Sequence, residues 1–189
     1  MVLLAKSDGE SLYDHSILTY DYGMKIIEML PFSREEREQL KALSSLPLLF
    51  HDIGKAATGF QKALKEGGNW GGRRHEILSA AYLKKFNLKE EQIFAVITHH
   101  KDILNSYSKN VIPENQINQL YGDTEVLRDM KEQFAENLDD IRQLAEQLMK
   151  KINYEGFDDN VKIGEGLGIE EYWLDGSPKS KYAQRMRTD

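Results

Sequence analysis

Six side chains in this 189-residue chain can do chemistry together: His15, His51, Asp52, His75, His99 and His100. They stand in the strings Tyr13-Asp14-His15-Ser16, His51-Asp52-Ile53-Gly54-Lys55, Arg73-Arg74-His75-Glu76 and Thr98-His99-His100, and the five histidines are all that the chain has. Imidazole and carboxylate are borderline-to-hard donors that suit divalent cations. Hydrolysing a phosphodiester needs a water made nucleophilic at neutral pH and a counter-charge for crowded phosphate oxygens, and one or two metal ions supply both. Asp52 is the natural shared ligand, because a carboxylate offers two oxygens where an imidazole offers one free nitrogen. Lys55, three residues on, falls on roughly the same side as Asp52. It is the candidate to place an ammonium on the scissile phosphate or to orient the attacking water.

Ligands for such a site must converge from several helices, since one helix face presents only two or three well-placed side chains. Separations of 36, 24 and 24 residues between His15, His51, His75 and His99 suit successive helices returning to one point. Taken singly, each residue has a plainer reading. His15 on an apolar stripe also fits a core histidine, and His100 on the face of Ile93, Val96 and Ile97 also fits a buried imidazole. Arg73-Arg74 also fits a solvated pair, and Trp70 either a packing plug or a base-stacking platform. The ordered conjunction points to a metal site.

The hydrophobic period is helical almost throughout and strand-like alternation is absent, so the fold class is all-α. Residues 11–30 place Leu12, His15, Leu18, Tyr22, Ile26 and Met29 on one expected core stripe. Ser33 and Glu36 form a capping box for a helix over 34–44. Ser44-Ser45-Leu46-Pro47 reads as a break and restart. Short helices follow over 56–65, 74–86 and 89–100, with a glycine-rich loop at 66–72. Residues 101–123 read as irregular and 153–178 as a glycine-dotted acidic loop. Residues 124–152 read as one long helix, with Leu127, Met130, Phe134, Leu138, Ile141, Leu144, Leu148 and Ile152 as its apolar face. A last amphipathic helix starts near 179. It has no C-cap, so the single domain 1–189 is expected to be cut short at its C-terminal end.

Hydrophobic residues make up 40% and charged residues 30% of the chain, the mark of a globular domain. No apolar run is long enough for a membrane span, so no membrane partner is expected. The lack of cysteine excludes disulfides and thiolate zinc sites and fits a cytoplasmic location. The net charge of −6 arises entirely beyond residue 100. Phosphate repels an acidic domain, so a polyanionic substrate has to be held by local positive charge, bound metal or a partner.

These motifs resemble the HD superfamily of metal-dependent phosphohydrolases, all-helical bundles with the metal site at the convergence of several helices. The run His51-Asp52-Ile53-Gly54-Lys55-Ala56 with Phe60-Gln61, then Arg74-His75-Glu76 with Leu78-Ser79-Ala80, then Thr98-His99-His100, is similar to the HD nuclease domain of the type I CRISPR-associated helicase–nuclease. That resemblance spans residues 10–101. It implies metal-dependent endo- or exonucleolytic cleavage of single-stranded DNA in antiviral defence. The implied partners are a helicase domain or subunit and a guide-RNA surveillance complex. His15, His51, Asp52, His75, His99 and His100 would hold one or two divalent ions (Mn, Ni, Co, Fe or Mg), and Lys55 would act at the phosphate beside Asp52. The family pattern has a further aspartate after the His-His doublet. Asp175 and Asp189 are the late aspartates on offer, neither in a convincing context, so that ligand is expected beyond Asp189. Two other functions use the same residues: an HD phosphohydrolase of small nucleotides (a nucleotidase or cyclic-nucleotide phosphodiesterase), and a metal-stabilised docking module without catalysis.

Overall fold

The structure, a computed structural model, describes residues 2–71, 73–83, 86, 88–100 and 124–154. These form seven α-helices and one 3-10 turn: α1 Leu12–Met29, α2 Arg34–Phe50, the turn Ile53–Ala56, α3 Thr58–Glu66, α4 His75–Leu83, α5 Glu90–Thr98, α6 Thr124–Ala135 and α7 Leu138–Lys151. The all-α expectation holds, and the one β-type pairing among the described residues is an isolated bridge between Leu4 and Ser11. None of these helices is long and apolar enough to cross a membrane. The loop expected at 101–123 and the elements expected beyond 154 lie outside the described residues.

Helices α1 and α2 form an antiparallel hairpin. Ser11 caps α1 by accepting from the Asp14 amide at 3.0 Å. Ser33 and Glu36 close the predicted capping box on α2, with bonds of 3.2 and 2.7 Å. The stripe expected to bury α1 is only partly correct. Leu12 is fully buried, but Leu18, Tyr22, Ile26 and Met29 are 49%, 57%, 60% and 83% exposed. The helix instead buries Leu12, Ser16 and Ile27. Small residues decide this: a Cβ at Gly23 would lie 2.5 Å from the Leu48 side chain of α2. Close helix approach therefore follows Ser16 and Gly23 rather than the bulkiest face.

The break expected at 44–47 is absent, and Pro47 lies inside a continuous α2. A proline there deprives the Leu43 carbonyl of its i+4 donor. The Gln92 side chain from α5 donates to that carbonyl at 2.5 Å, while its own oxygen accepts from the Lys89 amide at the start of α5. One glutamine thus replaces the bond that Pro47 cannot make and joins α5 to α2.

The helix expected over 124–152 is two helices, α6 and α7. The chain turns at Asn137, whose side-chain amide donates to the Ala56 carbonyl at 2.7 Å. Thr58 Oγ1 donates to Glu136 at 2.5 Å beside it. Both bonds pin the end of the 3-10 turn to the α6–α7 corner. The predicted apolar face still forms much of the core: Met130, Phe134, Ile141 and Leu148 are fully buried with Leu12, Leu49, Phe50, Ile53, Leu78, Tyr82 and Leu83. Replacing Asn137 with Ala leaves the buried Ala56 carbonyl unsatisfied. It should lower unfolding free energy by about 1–3 kcal/mol in a urea titration.

Candidate metal centre

The six predicted donors come together at one point, around the Asp52 carboxylate. Asp52 is 2% exposed and sits between the end of α2 and the 3-10 turn, at φ −109°, ψ 6°. His51 ends α2. His75 opens α4 and His99 follows the last residue of α5. His15 lies one turn into α1. Helix ends thus supply most of the donors, as adjacent ligands require: His51 and Asp52 reach one point because the helix stops between them.

Two donor groups share Asp52. One is His15, His51 and Asp52; the other is Asp52, His75, His99 and His100. On the first side, Asp52 Oδ2 lies 3.0 Å from His15 Nε2 and 3.4 Å from His51 Nε2. On the second, Oδ1 lies 2.8 Å from His75 Nε2 and 3.3 Å from His99 Nε2. His100 Nε2 faces His75 Nε2 at 3.2 Å. Lys55 Nζ closes the ring, 2.7 Å from Asp52 Oδ2. Burial alone would raise the Asp52 carboxyl, but the imidazoles of His15, His51, His75 and His99 around it outweigh burial and hold the group far below the usual carboxylate range.

This donor set fits divalent cations. His51 Nδ1 lies 3.0 Å from the Leu48 carbonyl and His99 Nδ1 lies 2.5 Å from that of Val96. A carbonyl only accepts, so Nδ1 carries a hydrogen, and in the neutral ring Nε2 turns its lone pair inward. His99 Nε2 is buried and makes no hydrogen bond, although Asp52 Oδ1 is nearby. Two imidazole nitrogens facing each other at 3.2 Å, as in His75 and His100, need a proton or a cation between them. Burial, then the neighbouring His99 and His75, push His100 down to about 4, so it is a neutral donor at neutral pH. Burial also opposes charge on His99, but its contact with Asp52 prevails and raises it.

Several residues support the centre through contacts that were not legible in the sequence. Gly54 is required by close approach: a Cβ there would lie 2.0 Å from the His75 backbone oxygen. The Gly54 amide donates to Ser79 Oγ at 2.9 Å and Ser79 Oγ donates to the His75 carbonyl at 3.2 Å, so one hydroxyl registers the Asp52 turn against α4. Glu10 Oε2, paired with Lys6 Nζ at 2.6 Å, lies 3.3 Å from His15 Nδ1, behind the ring. Gly54 and Ser79 stand in the motifs around the His-Asp pair and His75, but the contacts they make appear only in the fold, and no motif marks Glu10.

The remaining candidates are settled one by one. Trp70 is a packing plug, 8% exposed, with Nε1 donating to Gln133 at 2.8 Å. Arg73 pairs with Asp129 at 2.9 Å, and Arg74 pairs with the buried Glu76 through Nε at 2.7 Å. Both arginines are therefore engaged with carboxylates. Asp175 and Asp189 lie outside the described residues.

A family model for the HD domain matches residues 12–187. Comparison with curated proteins and with solved structures finds no match. The chain belongs to the HD domain family, and with that membership goes its class, metal-dependent phosphohydrolase.

Two outcomes follow from this geometry. Gly54→Ala, forced against the His75 backbone, should cost on the order of 3 kcal/mol and abolish metal uptake, read by thermal melts with and without Mn²⁺. Metal binding must displace the proton that His99 retains above the ordinary histidine range. Affinity for Mn²⁺ should therefore still be climbing as pH rises above about 6.5, with proton release seen in calorimetry across buffers of different ionisation enthalpy.

Proposed function

We propose that this HD-domain protein is a metal-dependent phosphodiesterase that cleaves single-stranded DNA. In this reading it works with a helicase domain or subunit that delivers a displaced strand at a guide-RNA surveillance complex. The observation that carries the hydrolytic part is the single buried carboxylate shared by two groups of imidazoles with an ammonium 2.7 Å away. Divalent ions held by His15, His51, Asp52, His75, His99 and His100 would supply Lewis acidity toward the phosphate and acidify a water. The protein's own groups do the rest. Asp52 sets the centre between the two groups of histidines. Lys55 donates toward Asp52 and the Ala5 carbonyl, which fixes its ammonium where a non-bridging phosphate oxygen would gain a third donor. His100, the most exposed ligand, stands at the solvent side, where a substrate would enter.

Substrate capture supports the partner half of the proposal. The chain is acidic, and Arg73 and Arg74 are both tied to carboxylates. Neither arginine is left to track a phosphodiester backbone, so delivery by a partner would replace electrostatic capture. The same observation favours a second reading, a phosphohydrolase of small nucleotides, which needs no extended basic groove.

Incubation with circular single-stranded DNA and Mn²⁺, Ni²⁺, Co²⁺ or Mg²⁺ separates the two. The nuclease reading expects nicking of the circle and little action on duplex. Release of phosphate or nucleoside monophosphate from small nucleotides, with the circle intact, would establish the second reading. Metal uptake without either activity would leave a docking module. Lys55→Ala should reduce kcat on the order of 100-fold while metal uptake persists.

A further inference from the structure

The segment before α1 is tied down in a way that reaches the centre. Residues 3–12 fold back on themselves: the Ala5 amide donates to the Glu10 carbonyl at 2.8 Å, and the Leu12 amide donates to that of Leu3 at 2.8 Å. Gly9, at φ +96°, makes the turn. This small hairpin presents two polar groups inward. The Ala5 carbonyl accepts from Lys55 Nζ at 3.3 Å, and Glu10 Oε2 lies 3.3 Å from His15 Nδ1. It thus touches both a ligand of the first donor group and the ammonium.

What holds the hairpin against the centre is Gln61, in the first turn of α3 and 2% exposed. Its Oε1 accepts from the Leu4 amide at 2.8 Å. Its Nε2 donates to the Leu4 carbonyl and to the Lys55 carbonyl, each at 2.8 Å. The carboxamide pairs with Leu4 as a neighbouring strand would, and its second hydrogen grips the backbone of the very lysine that Ala5 receives. Both donors and the acceptor are used, so an isosteric carboxylate cannot replace it.

We infer that Gln61 is a positioning residue, which clamps the 3–12 hairpin so that Ala5 and Glu10 orient Lys55 and His15. The inference rests on the reading of those two residues as parts of the hydrolytic centre, and it is specific to one side of it. His75, His99 and His100, the imidazoles of the second group, have no contact with the hairpin among those described, and the hairpin's partners Lys55 and His15 meet Asp52 at Oδ2, the oxygen of the first side.

The test compares Gln61→Glu, Gln61→Met, Glu10→Gln and the double variant Gln61→Met/Glu10→Gln, using Mn²⁺ as the probe. Titration of each protein should show binding at the His15 group weakened about tenfold, the scale expected for loss of a ligand-orienting partner, with the other group within about twofold of wild type. The double variant should be no weaker than the worse single one, because both act through the same hairpin. Acetylation of Lys55 relative to the exposed Lys62, followed by mass spectrometry on metal-free protein, should rise about fivefold or more in both Gln61 variants. Equal weakening of both groups, effects that multiply in the double variant, or a lowered melting temperature with unchanged Lys55 labelling would each overturn the clamp. If the wild type takes up no Mn²⁺, the metal reading fails while the Lys55 labelling still judges the clamp.

Discussion

The buried carboxylate of Asp52 is the constraint around which this structure is arranged. Two oxygens face four imidazole nitrogens and an ammonium, all within 3.4 Å. A lone buried carboxylate is costly; one so surrounded stays ionised at any ordinary pH. The fold expresses that demand. Helix α2 stops where Asp52 begins, α4 starts and α5 stops at the same point, and α1 passes beside it. Gly54 and Ser79 bring the turn and α4 together closely enough that no side chain fits between them.

A ring of cations and neutral imidazoles about one carboxylate is unbalanced as hydrogen bonding alone. In their neutral forms His51 and His99 point lone pairs inward because their other nitrogens face carbonyls, and His100 and His75 oppose each other. A cation on each side of Asp52 resolves these contacts at once. That is why the geometry, and not only membership of the HD domain family, argues for metal.

The donors were legible because chemistry constrains residue type: few arrangements use every histidine of a chain, and a His-Asp pair ahead of Gly-Lys marks a helix end. The Ser33–Glu36 cap and the apolar face of 138–152 were equally plain, since each is a local pattern. What escaped was decided by partners distant in sequence. Pro47 reads as a helix break until Gln92, 45 residues later, serves the carbonyl it strands. Residues 124–152 read as one helix until Asn137 is seen to turn toward Ala56. The outer stripe of α1 has the bulk of a core face, yet Gly23 and Ser16 let α2 approach from the other side. Arg73 and Arg74 fit a solvated pair until Asp129 and Glu76 are found beside them.

Anomalous diffraction from crystals soaked in Mn²⁺ can show whether Asp52 joins the two groups of imidazoles into a site for divalent cations. Strong anomalous density is expected within coordinating distance of Asp52, on the His15–His51 side, the His75–His99–His100 side or both, with no comparable peak in Asp52→Ala crystals. Density at surface carboxylates alone, with the Asp52 cluster empty in fully soaked wild-type crystals, would contradict it.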